Sequence, residues 1–156
     1  MSAAVGDRAP DFTLTNQDRA PVTLSEELKK GPVVLAFFPA AFSGTCTKQM
    51  CTFRDSMSQL NGMSANVLGI STDTFFSLKA WAEDERLTFP LLSDYNKTVI
   101  NQYGVVNPDM IGLKNIARRA TFVIDRGGII RHSEVLEDAR NEPDYEKVRG
   151  ALAGVR

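Results

Sequence analysis

The apolar positions along the chain change their period several times, and each change marks an element. Pro32-Val-Val-Leu-Ala-Phe-Phe38 is apolar without alternation, the pattern of a strand buried on both faces at the centre of a parallel or mixed sheet. After a loop from Pro39 to Thr45, Met50, Phe53, Met57 and Leu60 recur at spacings of three and four. They form one stripe on a helix that ends before Gly62. Asn66–Ser71 predicts a second strand, and Phe76–Leu87 a second helix with Leu78, Trp81 and Ala82 toward the sheet. Phe89–Leu92 is limited to a short strand because Pro90 has no backbone donor, and Asn96–Tyr103 reads as a third helix closed by Gly104. Upstream, Asp11–Leu14 and Pro21–Leu24 read as a small hairpin. Ser25 is expected to cap a short helix through Lys30, with Glu26 and Glu27 at its positive end. Val105–Ala117 has no period and reads as loop, whereas Arg119–Asp125 and Ile129–Ser133 flank the permissive turn Arg126-Gly127-Gly128. Asp144–Leu152 supplies a final amphipathic helix. The order places the chain in the α/β class, a central mixed sheet flanked by helices, with the thioredoxin-like arrangement among its options.

Composition narrows this further. The chain has 156 residues, 43% hydrophobic and 24% charged, the size of one domain over residues 1–156. Such a chain buries roughly 70% of the surface its unfolded form exposes, so it needs no staple and its two cysteines are free for chemistry. Eighteen Lys and Arg against nineteen Asp and Glu give a formal charge of -1, which argues against a nucleic-acid partner. The longest strictly apolar run, Val33–Phe38, is far short of the roughly 20 residues that cross a bilayer, and no secretory signal is visible. Two cysteines five apart make a poor secreted disulfide framework, so a reducing cytoplasm is the expected location. His132, the only histidine, is expected at the surface of the last hairpin. With two cysteines it makes no convincing tetrahedral metal set, and no cofactor is implied. The triplet Asn96-Lys-Thr98 matches a glycosylation sequon but carries no meaning in a cytoplasmic protein.

The segment Pro39-Ala-Ala-Phe-Ser43-Gly-Thr-Cys46-Thr-Lys-Gln-Met-Cys51 follows the buried strand and runs into a helix, where ligand crevices of open α/β sheets form. Cys46 falls in the first helical turn. Free backbone N–H groups and the positive end of the macrodipole there favour a thiolate. Read alone, Cys46 is either a small buried hydrophobe or a nucleophile, and the setting favours the second without deciding it.

The pattern Pro39, Ser43, Cys46 resembles the active-site signature of the peroxiredoxins, cysteine peroxidases on a thioredoxin-like fold. The resemblance extends in colinear order through Asp11-Phe12-Thr13-Leu14, Gly69-Ile-Ser-Thr-Asp73, Phe89-Pro-Leu-Leu-Ser-Asp94 and Arg119-Ala-Thr-Phe-Val-Ile-Asp125. Within the family the chain looks closest to the bacterioferritin comigratory protein (peroxiredoxin Q) and alkyl hydroperoxide reductase E groups. The resemblance implies that Cys46 is the peroxidatic cysteine, oxidised to a sulfenic acid by hydrogen peroxide or an organic hydroperoxide. It implies that Ser43 hydrogen-bonds peroxide and thiolate, that Pro39 packs over the sulfur, and that Arg119 stabilises negative charge on sulfur and peroxide oxygens. Serine at 43 keeps the hydroxyl of the commoner threonine without its rotamer-restricting methyl. Strand alternation sends the neighbouring Arg118 to the opposite face, so only one of the pair enters the site. Cys51 matches the resolving cysteine of the peroxiredoxin Q group, and the partners implied are a peroxide and a thioredoxin, glutaredoxin or similar thiol reductant. Related groups include monomers and homodimers.

Helix geometry constrains that last role. Residues five apart on a helix have Cα atoms about 8.7 Å apart, beyond the roughly 7 Å that a disulfide spans. A Cys46–Cys51 bond therefore requires the first turns to unwind. The alternative is a one-cysteine peroxidase reduced directly by an outside thiol. A thiol–disulfide exchange module is disfavoured because the spacing is CxxxxC rather than CxxC, and a scaffold leaves the constellation unexplained. Gln49 replaces the glutamate common in the family, so a charge behind the site is lost. Met50, Met57 and Phe53 are expected in the core, and Phe42 at the entrance.

Overall fold

A computed structural model describes residues 2–56 and 65–155. Its main sheet has seven strands, introduced in chain order: β1 (Thr13–Asn16), β2 (Pro21–Thr23), β3 (Val33–Phe37), β4 (Asn66–Ser71), β5 (Leu91–Ser93), β8 (Ala120–Ile124) and β9 (Ile130–Val135). The order across it is β2-β1-β5-β4-β3-β8-β9. β3 and β4 run parallel in the register Leu35↔Leu68, β4 and β5 are parallel, and β8 lies antiparallel to β3 with Leu35↔Phe122. The unbroken apolar run is thus central, and every residue of β3 is fully buried. Its side chains alternate between two cores. Leu35 and Phe37 join Leu24, Leu28, Tyr103 and Phe122 on one face; Val34, Ala36 and Phe38 join Cys46, Met50, Trp81 and Val148 on the other.

Five helices among the described residues cover these faces: α1 (Leu24–Leu28), α2 (Gly44–Asp55), α3 (Phe75–Asp84), α4 (Thr98–Tyr103) and α5 (Tyr145–Ala153). Each predicted helix has a counterpart, with shifted ends. Ser25 is not the cap of α1, which starts at Leu24 after Thr23; the Ser25 N–H donates to Asp11 Oδ1 (2.9 Å), a carboxylate from the segment leading into β1. A long-range acceptor thus replaces a local cap. α2 closes at Asp55, earlier than the predicted stop, and Met57, Leu60 and Gly62 lie outside the described residues. Thr74 caps α3 and Asp144 caps α5 through their side chains. The α4 N–H groups of Val99 and Ile100 donate to the buried Asp94 carboxylate (3.1 and 2.8 Å).

Two expectations are corrected. The stretch expected to be loop is a separate hairpin of β6 (Val106–Met110) and β7 (Leu113–Ala117). Its turn residues Ile111 and Gly112 both have positive φ (48° and 91°), the backbone of a tight hairpin turn usually written Asn-Gly. Isoleucine there, and strands mixing Asn107, Pro108 and Asp109 with Lys114 and Asn115, erased the pattern. His132 is half-buried rather than on the surface. It pairs with Val123 across the ladder, and Val123 belongs to the core of the second face. Directly opposed residues share a face, which places the imidazole inward, with its Nε2 buried and unbonded among the described residues. Burial is the main cause that lowers its pKa.

One glycine is required by packing. A Cβ at Gly69 in β4 would lie 2.7 Å from Leu91 Cδ2 and 3.4 Å from Phe38 Cε1. Gly69→Ala is expected to cost about 1–3 kcal/mol, read as a lower urea midpoint; an unchanged midpoint would mean that Leu91 turns aside freely.

Candidate active site

β3 delivers the chain to Pro39 at its carboxyl end, and the loop that follows turns into α2 at the Ser43 N-cap. The loop is held from β4: the Ala41 N–H donates to Asp73 Oδ2 (2.8 Å), which also accepts from Ser71 Oγ (2.7 Å). Phe42 takes a left-handed conformation (φ 68°), a strained one for a bulky residue. Its ring is 56% exposed with its centroid 6.3 Å from that of Trp81. Phe42 therefore lies against α3, and it is not among the residues that line the pocket described below. It packs beside the loop, not at the predicted entrance.

Cys46 is the third residue of α2, in the turn where backbone N–H groups lack intrahelical acceptors. Its side chain is 0% exposed. Arg119, immediately before β8, is 1% exposed and reaches it from the opposite side: Nη2 donates to Cys46 Sγ (3.3 Å) and to the Ala139 carbonyl (2.8 Å), and Nη1 donates to Gln49 Oε1 (2.5 Å). Negative charge on the sulfur thus faces both a guanidinium and the positive end of a helix. Arg118, beside it in the two-residue link between β7 and β8, turns the other way and pairs with Glu137 at the surface (3.3 Å).

Gln49 is fully buried. The departure from glutamate removes a charge but preserves an acceptor for Arg119; the amide nitrogen and Arg119 Nε are left buried without partners among the described residues.

Ser43 differs from expectation. Its hydroxyl donates to the Ala40 carbonyl (3.0 Å), closing a local turn, and the contact is to main chain rather than to the sulfur. A lone pair remains for an incoming donor. Pro39, Ser43 and Arg119 do converge on one open pocket of about 760 Å³ above the start of α2. The remaining wall comes from Met110 and Ile111 at the β6–β7 turn and from the segment Glu137–Arg140. Arg140 hydrogen-bonds the half-buried Asp138 and holds its carboxyl down at a pKa of about 2.

Cys51 lies one and a half turns further along α2, half-buried. Both cysteines are free and sit on one continuous helix, as the spacing demanded. The Cys51 thiol donates to Glu85 Oε2 (3.4 Å), and burial, then this bond, push its pKa up. Met50 and Phe53 are core residues as expected. Sequence reasoning missed Asp73, Ala139 and Glu85. Asp73 stood within a quoted motif and was open to discovery; the other two carry no local signal.

Comparison with known proteins agrees with this geometry. A profile of the AhpC/TSA family matches residues 5–133. A chloroplastic 2-cysteine peroxiredoxin of Chattonella marina var. antiqua is 39% identical over 145 residues, 86% of this chain and 72% of that protein. Wheat (Triticum aestivum) chloroplastic peroxiredoxin Q is 42% identical over 127 residues, 81% of this chain but only 57% of the wheat protein's length. The crystal structure of peroxidoxin BcpB from Mycobacterium tuberculosis superposes with a TM-score of 0.88 at 36% identity, covering 100% of this chain and 99% of that one. No helix among the described residues is long and apolar enough to cross a membrane. The matched profile, the relatives and the shared thioredoxin-like fold together make this chain a member of the AhpC/TSA family of peroxidase oxidoreductases, a peroxiredoxin.

Proposed function

We infer that the chain, working as one domain over residues 1–156, reduces hydrogen peroxide and organic hydroperoxides through Cys46. The observation that carries this is the buried contact between Arg119 Nη2 and Cys46 Sγ at 3.3 Å, at the N-terminus of α2. The Cys46 thiolate attacks the terminal peroxide oxygen; the S–O bond forms as the O–O bond breaks, and water or an alcohol leaves. Arg119 offers N–H donors to the negative charge on the peroxide oxygens. Ser43 Oγ accepts a hydrogen bond from the peroxide O–H while its own O–H keeps donating to the Ala40 carbonyl, and Pro39 limits water at the sulfur. Cys51 then attacks the Cys46 sulfenic acid, giving an intramolecular disulfide and water, and a thioredoxin-like dithiol in the cytoplasm restores both thiols. A second reading is favoured by the tie between Cys51 and Glu85: Cys51 stays in place, and an outside thiol reduces Cys46 directly.

Intact mass and free-thiol count after one equivalent of hydrogen peroxide separate these. The expected result is loss of both thiols as one disulfide in the wild type, a stop at sulfenic acid in Cys51→Ser, and no reaction in Cys46→Ser. A wild type that itself stops at sulfenic acid establishes the one-cysteine route, and an unreactive Cys46 overturns the peroxidase reading.

A further inference from the structure

The second half of α2 is fastened to the end of α3 through one residue, Glu85. Its carboxylate accepts from the Cys51 thiol (Oε2, 3.4 Å) and its main-chain carbonyl accepts from Arg54 Nη1 (2.6 Å). Arg54 is itself steadied by Asp55 (2.9 Å). Glu85 is the C-cap of α3, but that cap uses its backbone N–H alone. The side chain is thus free of structural duty there, and Cys51 is its hydrogen-bond partner among the described residues. α3 also grips the start of α2, since Trp81 Nε1 donates to Thr47 Oγ1 (3.4 Å).

We propose that Glu85 is a positioning residue that latches the second half of α2 onto α3 through the Cys51 thiol and holds Cys51 out of reach of Cys46 until α2 opens. This rests on the two-cysteine reading above. The groups facing Cys51 act in a consistent sense: burial raises its pKa most, the Glu85 bond and the charges of Glu85 and Asp55 add to that, and Arg54 alone opposes. A thiol raised in this way favours the closed helix below its ordinary pKa, and that preference is lost as pH climbs through the raised value. Once α2 opens, the Cys51 sulfur attacks the Cys46 sulfur, the S–O bond of the sulfenic acid breaks, and hydroxide leaves with the thiol proton as water. Until then a second peroxide competes for the sulfenic acid and carries it to sulfinic acid. The latch therefore divides the intermediate between resolution and overoxidation.

Trp81, the only tryptophan, reports on α2 through the Thr47 bond. In stopped-flow fluorescence of the full chain, the peroxide step is expected to be unchanged in Glu85→Ala and the following resolution phase about five- to tenfold faster, the net worth of one ordinary hydrogen bond from a weakly donating thiol. Glu85→Gln, which keeps an acceptor without charge, falls between, and both variants form less sulfinic acid at excess peroxide. A resolution phase in Glu85→Ala that is unchanged or slower overturns the latch. Alkylation of Cys51 by iodoacetamide in a Cys46→Ser background needs no disulfide: Glu85→Ala is expected to react faster near neutral pH, with its midpoint moved down. If alkylation shifts while the wild type makes no disulfide, the latch stands and the resolving role falls; if alkylation does not shift, the latch falls.

Discussion

Replacing Arg119 by Met is expected to slow the reaction with peroxide about 100- to 1000-fold, the usual consequence of removing a donor aimed at developing charge in a buried site. The guanidinium lies 3.3 Å from Cys46 Sγ and is 1% exposed, so no solvent cation replaces it. Methionine fills similar volume but leaves Gln49 Oε1 and the Ala139 carbonyl without the donor each now has. Some stability is therefore lost as well, about 1–3 kcal/mol for the buried Gln49 acceptor left unpaired. Arg119→Lys should recover little, because one ammonium cannot span sulfur, amide oxygen and main-chain carbonyl as a planar fork does. Second-order rate constants from competition for peroxide, taken at a temperature where thermal melting shows each variant folded, decide the matter. A rate within threefold of wild type would remove Arg119 from the chemistry.

Trp81→Ala is expected to destabilise the fold by about 3–5 kcal/mol, the range for deleting a buried aromatic. For a domain whose whole stability is about 5–15 kcal/mol, that is a large share. Trp81 is fully buried on α3, its ring centroid 5.0 Å from that of Phe38 at the end of β3. It also carries the exposed Phe42 ring and the Thr47 hydroxyl of α2. Removing it hollows the second core beneath the loop that sets Cys46, so activity should fall with stability. Trp81→Phe keeps a ring and loses less. Urea denaturation followed by far-ultraviolet circular dichroism measures both; a loss below about 1 kcal/mol in the alanine variant would show that the core refills the space.

The parts of this molecule legible in the sequence are those whose signal is local. The run Pro32–Phe38 announced a central strand because parallel strands are buried on both sides. Cys46 could be placed in the first turn of α2 because loop and apolar stripe adjoin it. Alternation allows only one of Arg118 and Arg119 to face the site, and the resemblance to the peroxiredoxins singled out Arg119. What escaped depends on partners far along the chain. Glu85 meets Cys51 across 34 residues and Asp73 meets Ala41 across 32. The β6–β7 hairpin escaped for another reason: most of its residues are exposed or half-buried, so no face imposed an apolar alternation. The resemblance gave the Ser43 hydroxyl to peroxide and thiolate, whereas here its hydrogen goes to the Ala40 carbonyl, a local acceptor that spacing alone does not reveal.

Arg119 follows Cys46 by 73 residues, and the Ala139 carbonyl that steadies it follows by 20 more. During synthesis Cys46 therefore leaves the ribosome long before Arg119, and Arg119 before Ala139. A nascent chain halted short of residue 119 carries Cys46 without a guanidinium beside it. For a peroxidase acting through Cys46, this order withholds the pairing of sulfur and guanidinium until the sheet that shields both can close.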